Sequence, residues 1–183
     1  KTSFIKLLLG FYRPTEGEIY INDIPLKDIN LASWHKKTGV LLQDFSRYSF
    51  ATIGENITFG DIDKKPTKES IDAATEAAEA KEMISELPRG LDTPAATWFE
   101  EEEGTQLSGG QWQRTALGRN FYRQAPVVIL DEPTSAIDAS AEASIFDRLF
   151  DRKNKNTVIT ISHRLTTIEN ANIIYVFKHG NIV

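Results

Sequence analysis

Two carboxylates stand side by side directly after an apolar run of the chain. Asp131 and Glu132 follow "VVIL", a run typical of a strand that is buried on both faces. An Asp at the tip of such a strand can hold Mg²⁺ through oxygen, usually with water between them. The neighbouring Glu can orient and deprotonate a water for in-line attack on a γ-phosphate. The pair therefore predicts a magnesium-nucleotide site.

Polar side chains also end two other apolar runs. Gln43 follows "GVLL", and His163 follows "VITIS". Because ligands of parallel α/β sheets sit beyond the carboxyl ends of the strands, we expect Gln43, His163 and the two carboxylates to share one crevice. There His163 can hydrogen-bond the γ-phosphate, and Gln43 can reach both the metal and the water.

The first two residues supply what this site still lacks. A magnesium-nucleotide site needs a Lys on the β- and γ-phosphates and a Ser or Thr hydroxyl on the metal, both at a helix N-terminus. Lys1 and Thr2 open a predicted helix and match these two groups. The glycines of G-x-x-x-x-G-K-[ST] would lie just before residue 1. We therefore interpret the chain as an excerpt of a longer polypeptide.

A second phosphate-binding element is predicted at "QLSGGQWQR". Its Ser108, Gly109, Gly110 and Gln111 come directly before or at the start of a predicted helix. Glycine lets backbone N–H groups approach oxygens closely, and the positive end of the helix dipole favours an anion.

Composition narrows the class of protein. The chain has 183 residues, 40% of them apolar, which suits one sizeable folded domain. Its net charge of −5 does not suggest a nucleic-acid-binding surface. The absence of cysteine excludes disulfides, thiolate metal sites and cysteine nucleophiles. The longest apolar runs are far shorter than the roughly 20 residues of a membrane-spanning helix.

Buried strands and helices alternate along the chain, which indicates an α/β domain with a parallel core sheet. Strands are predicted at "GEIYIND", "TGVLLQD", "PVVILDE", "NTVITISHR" and "ANIIYVF", the last followed by a turn at His179-Gly180-Asn181 and a returning strand. Helices are predicted over about 2–12, about 67–87, from the double glycine onward, and about 139–150. The segment from about 48 to 107 is predicted to be a mainly helical insertion.

These motifs resemble the nucleotide-binding domain of an ATP-binding cassette (ABC) transporter. The resemblance is carried by "LSGGQWQR", "VVILDEPTSAID", "ISHR", "LLQD" and the leading Lys1-Thr2, and it covers essentially the whole chain. Its most specific element is LSGGQ, placed about 20 residues before "VVILDE". It implies a P-loop NTPase-like α/β core with a mainly parallel sheet and an inserted α-helical subdomain. The corresponding segments are 1–47 and 108–183 for the core and 48–107 for the helical subdomain.

The resemblance also implies roles for individual residues toward ATP and Mg²⁺. The residues expected around the ATP of the same chain are Lys1 and Ser3 on phosphate, Thr2, Gln43 and Asp131 on the metal, Glu132 as the catalytic glutamate, and His163 as the switch histidine. In this family two domains pair head to tail. Ser108, Gly109, Gly110 and Gln111 would then touch the γ-phosphate of an ATP held by a second nucleotide-binding domain. Asp138 matches the D-loop aspartate that links the two sites.

The exporter branch of the family is indicated by "QDFSRYSFATIGENITFGD" and by "GLDT". This branch implies a transmembrane domain in the same parent polypeptide and a place on the cytoplasmic face of the cell membrane. The stretch "EEEGTQLSGGQ" resembles the region with which exporters touch the partner's membrane domain. Glu102 is the candidate for that contact, although Glu101 stands where many exporters have glycine.

Two other classes of protein remain open at this stage. One is a soluble ABC ATPase acting in translation or DNA repair. Only about 65 residues lie between Gln43 and the signature sequence LSGGQ, which leaves no room for the long coiled coil of chromosome-type relatives. The other is a non-catalytic, ATP-gated module, and the presence of Glu132, His163 and LSGGQ argues against it.

Overall fold

The structure, a computed structural model, describes residues 1–96, 104–151, 156–164 and 169–183. Its α-helices are α1 Thr2–Leu8, α2 Leu31–Lys36, α3 Ile53–Thr58, α4 Lys68–Ala77, α5 Lys81–Ser85, α6 Gly109–Arg123 and α7 Ala139–Leu149. Short 3₁₀ helices lie at Leu26–Asp28 and Gly90–Asp92. The strands are β1 Tyr20–Ile21, β2 Ile24–Pro25, β3 Thr38–Leu41, β4 Val127–Asp131, β5 Thr157–Ile161, β6 Phe177–Lys178 and β7 Asn181–Ile182. Among these residues, no helix has the length and apolar character needed to cross a lipid bilayer.

A parallel sheet with strand order β3-β4-β5 lies at the centre of the fold. Leu41 pairs with Leu130, and Asp131 pairs with Ile161, so the strands end nearly level with one another. This register confirms the predicted α/β class and brings the polar residues that follow each strand to one edge of the sheet. β1 with β2 and β6 with β7 form separate two-stranded antiparallel pairs.

Helices cover both faces of this sheet. On β4, Ile129 packs into a cluster with Ile5 of α1 and Trp34 of α2. The neighbouring Val128 and Leu130 point the other way, into a larger cluster formed mainly by α3, α4, α6 and α7. The alternation along a central strand that is buried on both sides explains why "VVIL" is continuously apolar.

Arginines of α6 fasten the helical segment to the sheet. Arg123 donates hydrogen bonds to the backbone oxygens of Thr38 at 2.8 Å and Gly60 at 2.7 Å, joining the start of β3 to the end of α3. Arg119 donates to the backbone oxygens of Asn56 at 3.0 Å and Ser46 at 3.2 Å. α6 therefore links α3, within the described part of the 48–107 segment, to β3.

The structure shortens the first predicted helix. α1 ends at Leu8 rather than near Tyr12. Gly10 has φ 73°, and the N–H groups of Gly10 and Phe11 bond back to Leu7 and Lys6 at 3.0 and 2.9 Å. This is a Schellman C-cap, for which glycine is the favoured residue.

The predicted helix over about 67–87 is two helices, α4 and α5. Glu79, between them, takes a left-handed φ of 52°. Its carbonyl oxygen accepts a hydrogen bond from Arg114 at 3.1 Å, and its carboxylate pairs with Arg148 at 2.6 Å. Contacts from α6 and α7 therefore stabilise the break, which the Ala- and Glu-rich sequence does not predict.

The predicted strand "ANIIYVF" and the turn predicted after it differ in outcome. The turn is confirmed, because His179 and Gly180 have φ of 50° and 84° between β6 and β7. The strand predicted over 173–176 is absent from the structure, which begins the hairpin only at Phe177. "GEIYIND" likewise forms only the short strand β1.

Candidate nucleotide site

The start of α1 meets the end of β4. The hydroxyl of Thr2 donates a hydrogen bond of 2.8 Å to Oδ2 of Asp131, across 129 positions of sequence. Asp131, the last residue of β4, is only 2% exposed. Lys1, the residue directly before Thr2, is exposed to solvent. The structure thus brings together the helix start and the strand tip that the sequence predicts as one site.

Glu132 and His163 form a second pair at the same edge of the sheet. Nε2 of His163 lies 2.8 Å from Oε1 of Glu132, with side-chain exposures of 68% and 26%. The backbone N–H of Glu132 donates to the oxygen of Ile161 at 2.9 Å, which extends the β4–β5 ladder by one residue. A carboxylate and an imidazole within hydrogen-bond reach, at the open end of a sheet, can take up and pass on a proton.

The backbone of Glu132 is strained. Its φ of 50° lies in the left-handed region, which costs a non-glycine residue about 1–3 kcal/mol and persists only where the surrounding structure enforces it. Gln113 of α6 supplies part of that enforcement, because its Nε2 donates a hydrogen bond of 3.1 Å to the carbonyl oxygen of Glu132. Sequence reasoning missed Gln113. The available signal was its spacing, since Leu117 lies four residues on and shares the buried face of the helix.

The signature segment begins α6 with a capping box. Oγ of Ser108 accepts from the N–H of Gln111 at 3.3 Å, and Oε1 of Gln111 accepts from the N–H of Ser108 at 2.8 Å. A β-carbon at Gly109 would meet no described atom within 4 Å. One at Gly110 would stand 2.6 Å from the backbone oxygen of Ala136. Among the described residues, Gly109 therefore has room for a side chain, whereas Gly110 packs against the backbone of Ala136.

For the remaining predicted site residues, the structure shows the element to which each belongs. Gln43 is exposed in the turn that follows β3, two residues after the strand ends at Leu41. Ser3 is exposed in the first turn of α1. Asp138 caps α7, because its carboxylate accepts a hydrogen bond of 3.0 Å from the N–H of Ala141. It also accepts a hydrogen bond of 2.7 Å from Arg114. The Ala141 bond in particular lowers the pKa of Asp138. Glu102, the candidate contact to a membrane domain, lies outside the described residues.

A parallel α/β sheet with these residues at its carboxyl edge defines a nucleotide-binding domain of the P-loop NTPase class. The sequence model of the ABC transporter family matches residues 1–135. The chain belongs to the ABC transporter family.

Known relatives match the chain over its full length. It is 42% identical to a subtilin transport ATP-binding protein of Bacillus subtilis and 41% identical to an ATP-dependent lipid A-core flippase of Haemophilus influenzae. In each case all of this chain is covered, but only 29% and 30% of the relative. A solved structure of a bacterial Atm1-family ABC exporter with ATP bound matches with a TM-score of 0.88 and 32% identity, again over all of this chain and 30% of the other.

Proposed function

We propose that this chain is the ATP-hydrolysing motor of an ABC exporter. The observation that carries the proposal is the 2.8 Å contact of Glu132 with His163, beside the 2.8 Å contact of Thr2 with Asp131. Glu132 deprotonates the attacking water, and His163 orients the γ-phosphate. Lys1 and Ser3 bind the phosphates, and an in-line attack needs little from the protein beyond such positioning and charge.

The described residues fit a magnesium ion. A Thr hydroxyl and a buried carboxylate are hard oxygen ligands, and Mg²⁺ is commonly held by one or two carboxylates plus phosphate oxygens and water. The 2.8 Å between Oγ1 of Thr2 and Oδ2 of Asp131 suits two neighbouring ligands of one small ion. Thr2 and Asp131, with the amide of Gln43, would hold it. The bound ion would neutralise charge on the β- and γ-phosphates.

A second nucleotide-binding domain completes the proposed site. Gly109 is exposed, and no atom of the described residues lies within 4 Å of the position of its β-carbon, which supports access of a phosphate from outside the chain to the start of α6. Ser108 has accepted a bond from Gln111 but keeps its own proton to donate. In the proposed head-to-tail dimer, Ser108, Gly109, Gly110 and Gln111 bind the partner's ATP. Asp138 lies between the two sites.

Coupling to transport would run through the helical segment. The named relatives include a subtilin transporter and a lipid A-core flippase, each about three times as long as this chain. We expect a transmembrane domain in the same polypeptide, seated on the 45–59 region, with the motor on the cytoplasmic face of the membrane. The core and helical segments 1–47, 48–107 and 108–183 would act as the moving parts.

The test is the ATPase rate of the full-length protein in lipid, wild type against Glu132→Gln. Magnesium-dependent hydrolysis that falls by about 100-fold or more in the variant supports the motor, because the amide cannot act as a base. Glu69→Gln, the same change on the exposed side of α4, is the matched control and retains the wild-type rate. Near wild-type hydrolysis by Glu132→Gln would overturn the assignment of the base.

A further inference from the structure

Gln113, a buried residue of α6, binds the turn that follows strand β4. Gln113 is 4% exposed, and both the nitrogen and the oxygen of its side-chain amide form hydrogen bonds. Nε2 donates to the backbone oxygen of Glu132 and to Oγ of Ser135, each at 3.1 Å. Oε1 accepts from the N–H of Ala136 at 2.8 Å. The amide therefore binds both sides of the 132–136 turn at once.

We infer that Gln113 is a positioning residue for Glu132, an inference that rests on the proposed function. The carbonyl it holds belongs to the residue with the left-handed backbone. Releasing that carbonyl lets Glu132 relax toward an ordinary φ, which moves its carboxylate away from His163. Positioning errors of about 1 Å are enough to slow a reaction about 100-fold.

Further contacts join the same turn to the same part of α6. Gly110 lies against the backbone oxygen of Ala136, and Arg114 donates 2.7 Å to Asp138. Gln113 is the member of this group that touches Glu132 itself. Since α6 begins at the signature sequence, the carbonyl of Glu132 is fixed to the helix that carries LSGGQ. The position of Glu132 therefore depends on the position of α6.

The first test is Gln113→Met in the full-length protein, which keeps the length of the side chain and removes its hydrogen bonds. We expect kcat for ATP to fall about tenfold or more, with KM changed less than about twofold, because the residues on the phosphates and metal are untouched. Tyr122→Phe is the matched control. It removes a buried hydrogen bond of 3.4 Å to Lys64 at the far end of α6 and should keep the wild-type kcat.

A wild-type kcat in folded Gln113→Met would overturn the inference. If that variant does not fold, Gln113→Asn replaces it, since the same amide on a side chain one methylene shorter cannot reach both Glu132 and Ala136. A wild-type kcat there has the same meaning. Equal losses of kcat in the Gln113 variant and Tyr122→Phe would also overturn it, because they would show a general effect of weakening α6.

Combination with Glu132→Gln separates positioning from any independent role. If Gln113 acts through Glu132, adding Gln113→Met to Glu132→Gln lowers the residual single-turnover rate no further. A further tenfold loss would contradict the inference. Its failure is distinguishable from failure of the proposed function. If only the inference about Gln113 fails, Glu132→Gln alone still abolishes hydrolysis. If the proposed function fails, the wild type does not hydrolyse ATP.

Discussion

Gly110 lies so close to Ala136 that a β-carbon there would stand 2.6 Å from the backbone oxygen of Ala136. The contact joins the first turn of α6 to the turn that follows Glu132. At Gly109, one residue earlier, an added β-carbon would have no atom of the described part of the chain within 4 Å. Within the described residues, close packing therefore favours glycine at 110 but not at 109.

We predict that Gly110→Ala disturbs the fold and that Gly109→Ala does not. Alanine at 110 must displace the backbone near Ala136, which costs about 1–3 kcal/mol, whereas Gly109→Ala is neutral or slightly stabilising in a helix. Thermal unfolding of both variants of the full-length protein measures this. Gly109→Ala should nevertheless lower the ATPase rate, because its methyl group occupies the space proposed for the partner's phosphate. Equal thermal shifts for the two variants would contradict this division.

The Thr2–Asp131 contact gives a second prediction. Thr2→Val keeps the shape of the side chain and removes its hydroxyl, so a buried carboxylate loses its donor at a cost of about 1–3 kcal/mol. We expect an ATPase loss of about tenfold or more and a higher magnesium concentration at half-maximal rate. Thr2→Ser keeps the hydroxyl and serves as the control. An unchanged magnesium titration in Thr2→Val would remove Thr2 from the metal site.

The placement of the site residues was predictable, because polar residues end apolar strands. Asp131 and His163 follow runs whose burial is evident from their composition, and a parallel sheet aligns such ends. The contact of Thr2 with Asp131 followed from the need for a hydroxyl beside the metal carboxylate.

Tertiary contacts explain what the sequence did not predict. The break at Glu79 has no Gly or Pro to announce it and depends on Arg114 and Arg148, which come from distant helices. Gln113 was missed for a similar reason. Its spacing from Leu117 indicates a buried position on α6, but the sequence does not show which groups the amide binds until the 132–136 turn is folded against it.

Gly118, a glycine in the interior of α6, gives a third prediction. A β-carbon there would lie 3.4 Å from Ile57, at the limit of ordinary packing, so α3 crosses α6 closely at this point. Gly118→Ala should raise the unfolding temperature, because alanine gains up to about 1 kcal/mol in a helix interior and the end of Ile57 can shift. At Gly60 the added carbon would stand 2.1 Å from the backbone oxygen of Arg119, so Gly60→Ala should be destabilising. Destabilisation by Gly118→Ala would show that the contact with Ile57 is too rigid to yield.

The fourth prediction concerns a buried carboxylate that pairs with the residue after His163. Glu142 of α7 is 4% exposed, accepts 2.8 Å from the hydroxyl of Thr134, and pairs with Arg164, the residue after His163. Breaking a buried ion pair costs about 3–5 kcal/mol, but Arg164 is 41% exposed, which reduces the expected cost of Glu142→Gln to about 1–2 kcal/mol.

Glu142→Gln should therefore lower both the unfolding temperature and kcat, since the pair fixes Arg164, and Arg164 directly follows His163, which contacts Glu132. Asp63→Asn is the control for simple loss of a charge pair, because Asp63 and Lys36 are both largely exposed and contribute less than about 0.5 kcal/mol. Thermal unfolding and steady-state ATPase assays of the two variants separate the effects. If Glu142→Gln lowers the unfolding temperature while kcat stays at the wild-type value, the pair stabilises the fold without placing His163. If neither quantity changes, solvent replaces the pair as readily as it does at Asp63.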